Sequence, residues 1–185
     1  MIAFVSGGAR SGKSRYAESL ARSWQAEHGG GLYYLATAKA AGAAGDEEMA
    51  GRIARHRRER GEAWTTLEEP VAIDTAIGQV ADRSTVLLDC LTLWASQVLY
   101  ASSLNEHAGV AMLRVVMHEA RARALDLVVV SNDVNEGLPV RDAEVQRYVA
   151  FLQRLHREVV AEAEVVVQVV AGLPAYWKGE RPCVP

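Results

Sequence analysis

Eight residues near the start of the chain, Gly7-Gly8-Ala9-Arg10-Ser11-Gly12-Lys13-Ser14, leave few folds open to it. Their spacing is G-x-x-x-x-G-K-[ST], in which glycines let consecutive backbone N–H groups turn inward around a phosphate. A helix following such a loop directs its positive N-terminal end at the same anion. Lys13 then reaches the outer phosphates of a nucleoside triphosphate, and the Ser14 hydroxyl is placed to ligate Mg²⁺. Lys13 is thus a candidate catalytic residue as well as a phosphate ligand. The alternative is a chance glycine turn, which average residue frequencies produce in about one per cent of chains of this length. Context separates the two. The run follows the apolar stretch Ile2–Val5 and precedes Tyr16, Leu20 and Trp24, which share one face at helical spacing.

Four more nearly continuous apolar runs follow, at Leu32–Ala36, Thr85–Leu88, Leu127–Val130 and Val165–Val170. Continuity rather than alternation is the mark of parallel strands covered on both faces. Trp64–Leu67 reads as a sixth strand at a sheet edge. Between the runs the spacing is helical, most plainly in the stripe Val145, Tyr148, Val149, Leu152, Leu155, Val159 and Val160. The expected fold is a single P-loop nucleotide-binding α/β domain over residues 1–185, a mostly parallel sheet with helices on both faces. Ala38–Gly45 reads as a loop, and the tail after Gly172, with its three prolines, as irregular.

A net charge of −3 argues against a general nucleic-acid binder, since phosphate-tracking proteins carry a basic excess. No apolar run approaches the roughly 20 residues that span a bilayer. Met1 to Gly8 lacks a basic leader and reads as a strand, so the expected compartment is the cytoplasm. Cys90 and Cys183 suggest neither a disulfide framework nor a metal knuckle.

Two further places carry chemistry. Asp89 ends the run Thr85–Leu88, and a carboxylate at the carboxyl end of a parallel strand can hold Mg²⁺ through water together with Ser14. It can equally cap the next helix, through Thr92. The second place is Asp46-Glu47-Glu48-Met49 and the following Arg52 to Arg60, with five arginines in nine residues around His56. Met49, Ile53 and His56 share a helical face. The residues alone leave open a core-edge histidine on a solvated basic face or a site for an anionic phosphate chain.

In order along nearly the whole chain, several further segments accompany the glycine loop. They are Tyr34-Leu35-Ala36-Thr37, Glu48-Met49, Arg52-Ile53, His56-Arg57, Trp64 to Glu68, Leu88-Asp89-Cys90-Leu91-Thr92, Ser131-Asn132-Asp133-Val134 and Val169-Val170-Ala171-Gly172. With these the sequence resembles the bifunctional adenosylcobinamide kinase / adenosylcobinamide-phosphate guanylyltransferase family of cobalamin biosynthesis. The resemblance implies two reactions: phosphorylation of adenosylcobinamide with ATP or GTP, then transfer of GMP from GTP to give adenosylcobinamide-GDP. It implies that His56 attacks the α-phosphate and carries GMP, with Arg55 and Arg57 beside the developing charge. It further implies that Thr37, Ala38, Lys39, Arg57, Arg58, Glu59, Arg60, Glu68 and Asp89 line the nucleotide site, and that the protein is a homotrimer.

The likeness has gaps. Asn132 to Val140 reads Asn-Asp-Val-Asn-Glu-Gly-Leu-Pro-Val, with one glycine fewer than the family pattern and the proline a residue early. Val149-Ala150 replaces an Arg-Asp pair, and His156-Arg157 replaces an Asn-Gln pair. Two other readings of the glycine loop stand beside this one: a kinase of another small metabolite without the covalent step, and a nucleotide-regulated binding protein.

Overall fold

The computed structural model describes residues 1–38, 63–134 and 142–180. Among them the chain runs β1 (Ile2–Gly7), α1 (Lys13–His28), β2 (Leu32–Ala36), β3 (Thr65–Glu68), α2 (Ile73–Gly78), β4 (Thr85–Asp89), α3 (Leu91–Tyr100), α4 (Glu106–Ala122), β5 (Asp126–Asn132), α5 (Ala143–Glu162), β6 (Val165–Val170) and β7 (Leu173–Lys178).

The strands form one sheet in the order β3-β2-β4-β5-β1-β6-β7. Every pairing is parallel except that of β6 with β7. The apolar runs are continuous because the central strands are buried on both faces. Along β1, Ile2 and Phe4 join the core beneath α2 to α5, while Ala3 and Val5 join the core beneath α1. The small residues Ala3, Ala17 and Ala21 are wholly buried in that second layer. α1 presents Leu20 and Trp24 to the sheet, with Tyr16 partly buried beside them, as the helical spacing requires.

The expected sixth strand is the edge strand β3, with Trp64 buried just ahead of it. In the last helix Leu152, Leu155 and Val159 are buried, and Phe151 joins them, whereas Val145 near the helix start is 39% exposed. The described part of the tail after Gly172 is not irregular, and residues 181–185 lie outside the described residues. Leu173–Lys178 pairs antiparallel with β6, Val170 opposite Leu173. Two physical reasons hid this strand. Pro174 is tolerated because β7 is an edge, where a missing N–H costs no ladder bond. Its large apolar residues also face outward, Leu173 and Trp177 being 74% and 73% exposed, so no buried stripe marks it. Among the described residues no helix is long and apolar enough to cross a membrane.

Candidate active site

Because β1, β2, β3, β4 and β5 are parallel, their carboxyl ends share one edge of the sheet. Gly7 lies opposite Asn132, and Ala36 is flanked by Glu68 on one side and Asp89 on the other. Thr37 and Ala38 follow β2, and the glycine loop follows β1. The edge therefore gathers Gly7 to Ser14, Thr37, Ala38, Glu68 and Asp89. Ser14, at the start of α1, and Asp89, at the end of β4, both lie at this edge. This is where open α/β sheets receive their ligands.

The loop is held from three sides. Asp133 N–H donates to the Gly7 carbonyl at 3.1 Å, tying it to the end of β5. Gly172 N–H donates to the Ser11 carbonyl at 2.8 Å, tying it to the β6–β7 turn. At Gly7 an added Cβ would fall 2.5 Å from the Val169 carbonyl oxygen, so β6 leaves no room for a side chain. Gly12 is left-handed, at φ 92°, and its missing Cβ would sit 3.3 Å from Gly172 Cα. As the N-cap of α1, Gly12 supplies no side chain to the first-turn N–H groups, and no acidic residue sits in that turn. Those donors therefore have no side-chain acceptor competing with an anion.

Lys13, 9% exposed, donates through Nζ to the Gly8 carbonyl at 3.0 Å. Burial lowers its pKa, while the nearby Cys90 and Asp89 act in the opposite direction. Its ammonium is thus within electrostatic reach of the β4 end. Ser11 Oγ is buried without a hydrogen-bond partner, an orphaned hydroxyl inside the loop.

Asp89 does not cap the next helix: Cys90 is the N-cap of α3 and makes no side-chain cap bond. The Asp89 carboxylate instead accepts, at Oδ2, from the Tyr34 hydroxyl of β2. Thr37 is fully buried and grips the backbone around Asp89. Its N–H donates to the Asp89 carbonyl at 3.0 Å, and its hydroxyl lies 3.0 Å from both the carbonyl and the N–H of Cys90. The donors at this edge, a serine hydroxyl and a carboxylate, are the hard oxygens that Mg²⁺ prefers, so the residues present fit that ion.

One hydrogen-bonded group at the carboxyl end of β5 was not foreseen from the sequence. Thr92 Oγ1 accepts from Asn132 N–H at 2.7 Å and lies 2.9 Å from Ser131 Oγ, which in turn lies 2.7 Å from His156 Nε2. Tyr148 OH donates to the Thr92 carbonyl at 2.9 Å. Burial pushes the His156 pKa down to about 4, with Asp133 opposing the shift. The imidazole is therefore neutral and its Nε2 can accept from Ser131. The available signal was His156 lying beside the apolar stripe Leu152, Leu155, Val159.

Lys39, His56, Arg57, Arg58, Glu59 and Arg60 lie outside the described residues. Of the remaining histidines, His107 and His118 are exposed on α4. His28 ends α1, with Nδ1 2.6 Å from Asp126 Oδ2.

Comparison with solved structures supports the fold. The flagellar accessory protein FlaH from Methanocaldococcus jannaschii superposes with TM-score 0.52 at 11% identity, over 97% of this chain and 78% of that one. A KaiC-like protein, PH0186, from Pyrococcus horikoshii OT3 does so with TM-score 0.52 at 10% identity, over 90% and 69%. By sequence the chain is 40% identical to the bifunctional adenosylcobalamin biosynthesis protein CobP of Pseudomonas aeruginosa, over 95% of this chain and 96% of the relative. It is 29% identical to the protein CobU of Escherichia coli, over 94% and 97%. A family model for cobinamide kinase / cobinamide phosphate guanyltransferase matches residues 3–176. The glycine loop, its strand–helix setting and a match across almost the whole length agree, and the chain belongs to the cobinamide kinase / cobinamide phosphate guanyltransferase family.

Proposed function

We propose that this chain, as one domain over residues 1–185, phosphorylates adenosylcobinamide with ATP or GTP and then transfers GMP from GTP to that phosphate. The observation that carries the reading is the glycine loop itself, clamped between β5 and the β6–β7 turn beside Asp89, in a chain of this family.

In the first step the loop and the N-terminus of α1 bind the phosphates, and Lys13 exchanges its bond to Gly8 for the outer phosphates. Ser14 and Asp89 would hold Mg²⁺, which when bound neutralises charge developing on the transferring phosphoryl group. The hydroxyl of adenosylcobinamide attacks the γ-phosphorus and the nucleoside diphosphate leaves. Little covalent work falls to the protein, because phosphoryl transfer is governed by positioning and charge.

In the second step a neutral His56 nitrogen attacks the α-phosphorus of GTP and pyrophosphate leaves. The phosphate oxygen of adenosylcobinamide phosphate then attacks the same phosphorus, the P–N bond breaks, and adenosylcobinamide-GDP forms. Support for His56 comes from its place in the matched sequence, with Arg55, Arg57, Arg58 and Arg60 around it to meet phosphate charge. Ala38, Lys39, Glu59 and Glu68 belong to the nucleotide site in this reading, and Thr37 contributes by holding Asp89. We extend the reading to a homotrimer, for which the resemblance is the support, and to a cytoplasmic enzyme.

The kinase half is tested by incubating the purified protein with adenosylcobinamide and γ-labelled ATP or GTP. Label should appear in the corrinoid. Label transfer to another small hydroxylated metabolite but not to adenosylcobinamide would overturn the substrate assignment.

A further inference from the structure

We propose that Tyr34 is a positioning residue for the metal site: its hydroxyl holds Oδ2 of Asp89 and so leaves Oδ1 as the oxygen that serves the cation. The inference rests on the reading of Asp89 as a metal-holding carboxylate. A carboxylate at a strand end can rotate about its last torsion, and both oxygens are equivalent until something distinguishes them. Here β2 supplies the distinction. Tyr34 lies opposite Leu87 and Ala36 opposite Asp89, so the phenol spans two residues along the neighbouring strand to reach Oδ2. Thr37, one residue past β2, holds the peptide on either side of the Asp89–Cys90 bond. The same strand thus fixes both backbone and side chain of Asp89.

Tyr34 is itself fixed. Its ring is 4% exposed and meets Trp64 edge-on, with centroids 5.9 Å apart and planes at 84°. The Arg22 guanidinium covers the other partner, 5.4 Å from the Trp64 ring centroid. A phenol held this way would keep the Asp89 carboxylate in one orientation for a bound cation. Outer partners of this kind orient ligand oxygens, and their loss typically weakens metal binding by ten- to a hundredfold.

The experiment measures Mn²⁺ affinity by electron paramagnetic resonance in the presence of GTP, and GTP affinity in excess chelator, for four proteins. Tyr34→Phe keeps the ring against Trp64 and removes only the hydroxyl. It should weaken Mn²⁺ binding about tenfold while leaving metal-free GTP affinity unchanged. Asp89→Asn should weaken Mn²⁺ at least as much. Met117→Ala loosens the core under α2 to α5 and leaves Tyr34 and Trp64 untouched, so it should lower the melting temperature without moving Mn²⁺ affinity. Wild-type Mn²⁺ affinity in Tyr34→Phe, with Asp89→Asn impaired, overturns the role of Tyr34 alone. Wild-type affinity in Asp89→Asn overturns the metal role of Asp89 and that of Tyr34 with it. An equal loss in Met117→Ala and Tyr34→Phe would reduce the effect to general loosening and overturn the proposal too.

Discussion

In the proposed function Lys13 has two successive acceptors. Its ammonium donates to the Gly8 carbonyl at 3.0 Å, in surroundings whose burial lowers its pKa. With a triphosphate it has a stronger acceptor, because a phosphate oxygen is charged and a carbonyl is not. Lys13→Ala should therefore fold normally, lose triphosphate affinity and lower turnover at least about a hundredfold, the usual cost of deleting one charge-stabilising donor. Binding of a fluorescent triphosphate analogue with circular dichroism checks both halves. His156 makes a second residue-scale case. Its folded pKa of about 4 lies below the ordinary value of 6.5. Between those values the unfolded chain binds a proton that the folded protein refuses, so stability falls as pH drops from about 6.5 to about 4. The slope from this one group is at most about 1.4 kcal/mol per pH unit. His156→Gln can still accept from Ser131, and it should flatten that acid limb in denaturant titrations at pH 4 to 7.

At the scale of elements, the joint between the glycine loop and the β6–β7 turn is the least expected feature. The sequence made β1, β2, β4, β5 and β6 readable because each is buried on both faces. It made α1 and α5 readable because their apolar faces recur at helical spacing. It could not announce β7, whose Leu173 and Trp177 face outward and whose Pro174 reads as a breaker. Nor could it show that Thr37 is turned wholly inward onto Asp89 and Cys90, or that Thr92, Ser131 and His156 meet, since those contacts join segments far apart in the chain. The loop, by contrast, was legible residue by residue, because its spacing is itself the chemistry. The joint predicts a specific sensitivity. Gly12→Ala puts a Cβ 3.3 Å from Gly172 Cα at a left-handed φ, and such strain costs about 1–3 kcal/mol. A chain of this size should lose about 2–4 °C of melting temperature per kcal/mol. Triphosphate affinity should fall with it, because the turn that must move also holds Ser11.

For the molecule as a whole, the two layers share one sheet, so they should unfold together. Trp24 and Trp64 lie in the core under α1 and Trp94 in the core under α2 to α5. Tryptophan fluorescence therefore samples both faces, and its denaturation curve should coincide with that of far-ultraviolet circular dichroism. Two separated transitions would contradict a single domain. The activity proposed for this molecule joins two chemistries on one nucleotide site, and the covalent step separates it from every simpler P-loop kinase. The most direct measurement is incubation with α-labelled GTP, a chase with adenosylcobinamide phosphate, and the same sequence on His56→Ala. Acid-labile label should appear on the wild-type protein and pass into the corrinoid on the chase, and no label should appear on His56→Ala, which should still move the γ-phosphate to adenosylcobinamide. A labelled adduct that survives in His56→Ala, or a folded, GTP-binding wild-type protein that never acquires label, would contradict the covalent step.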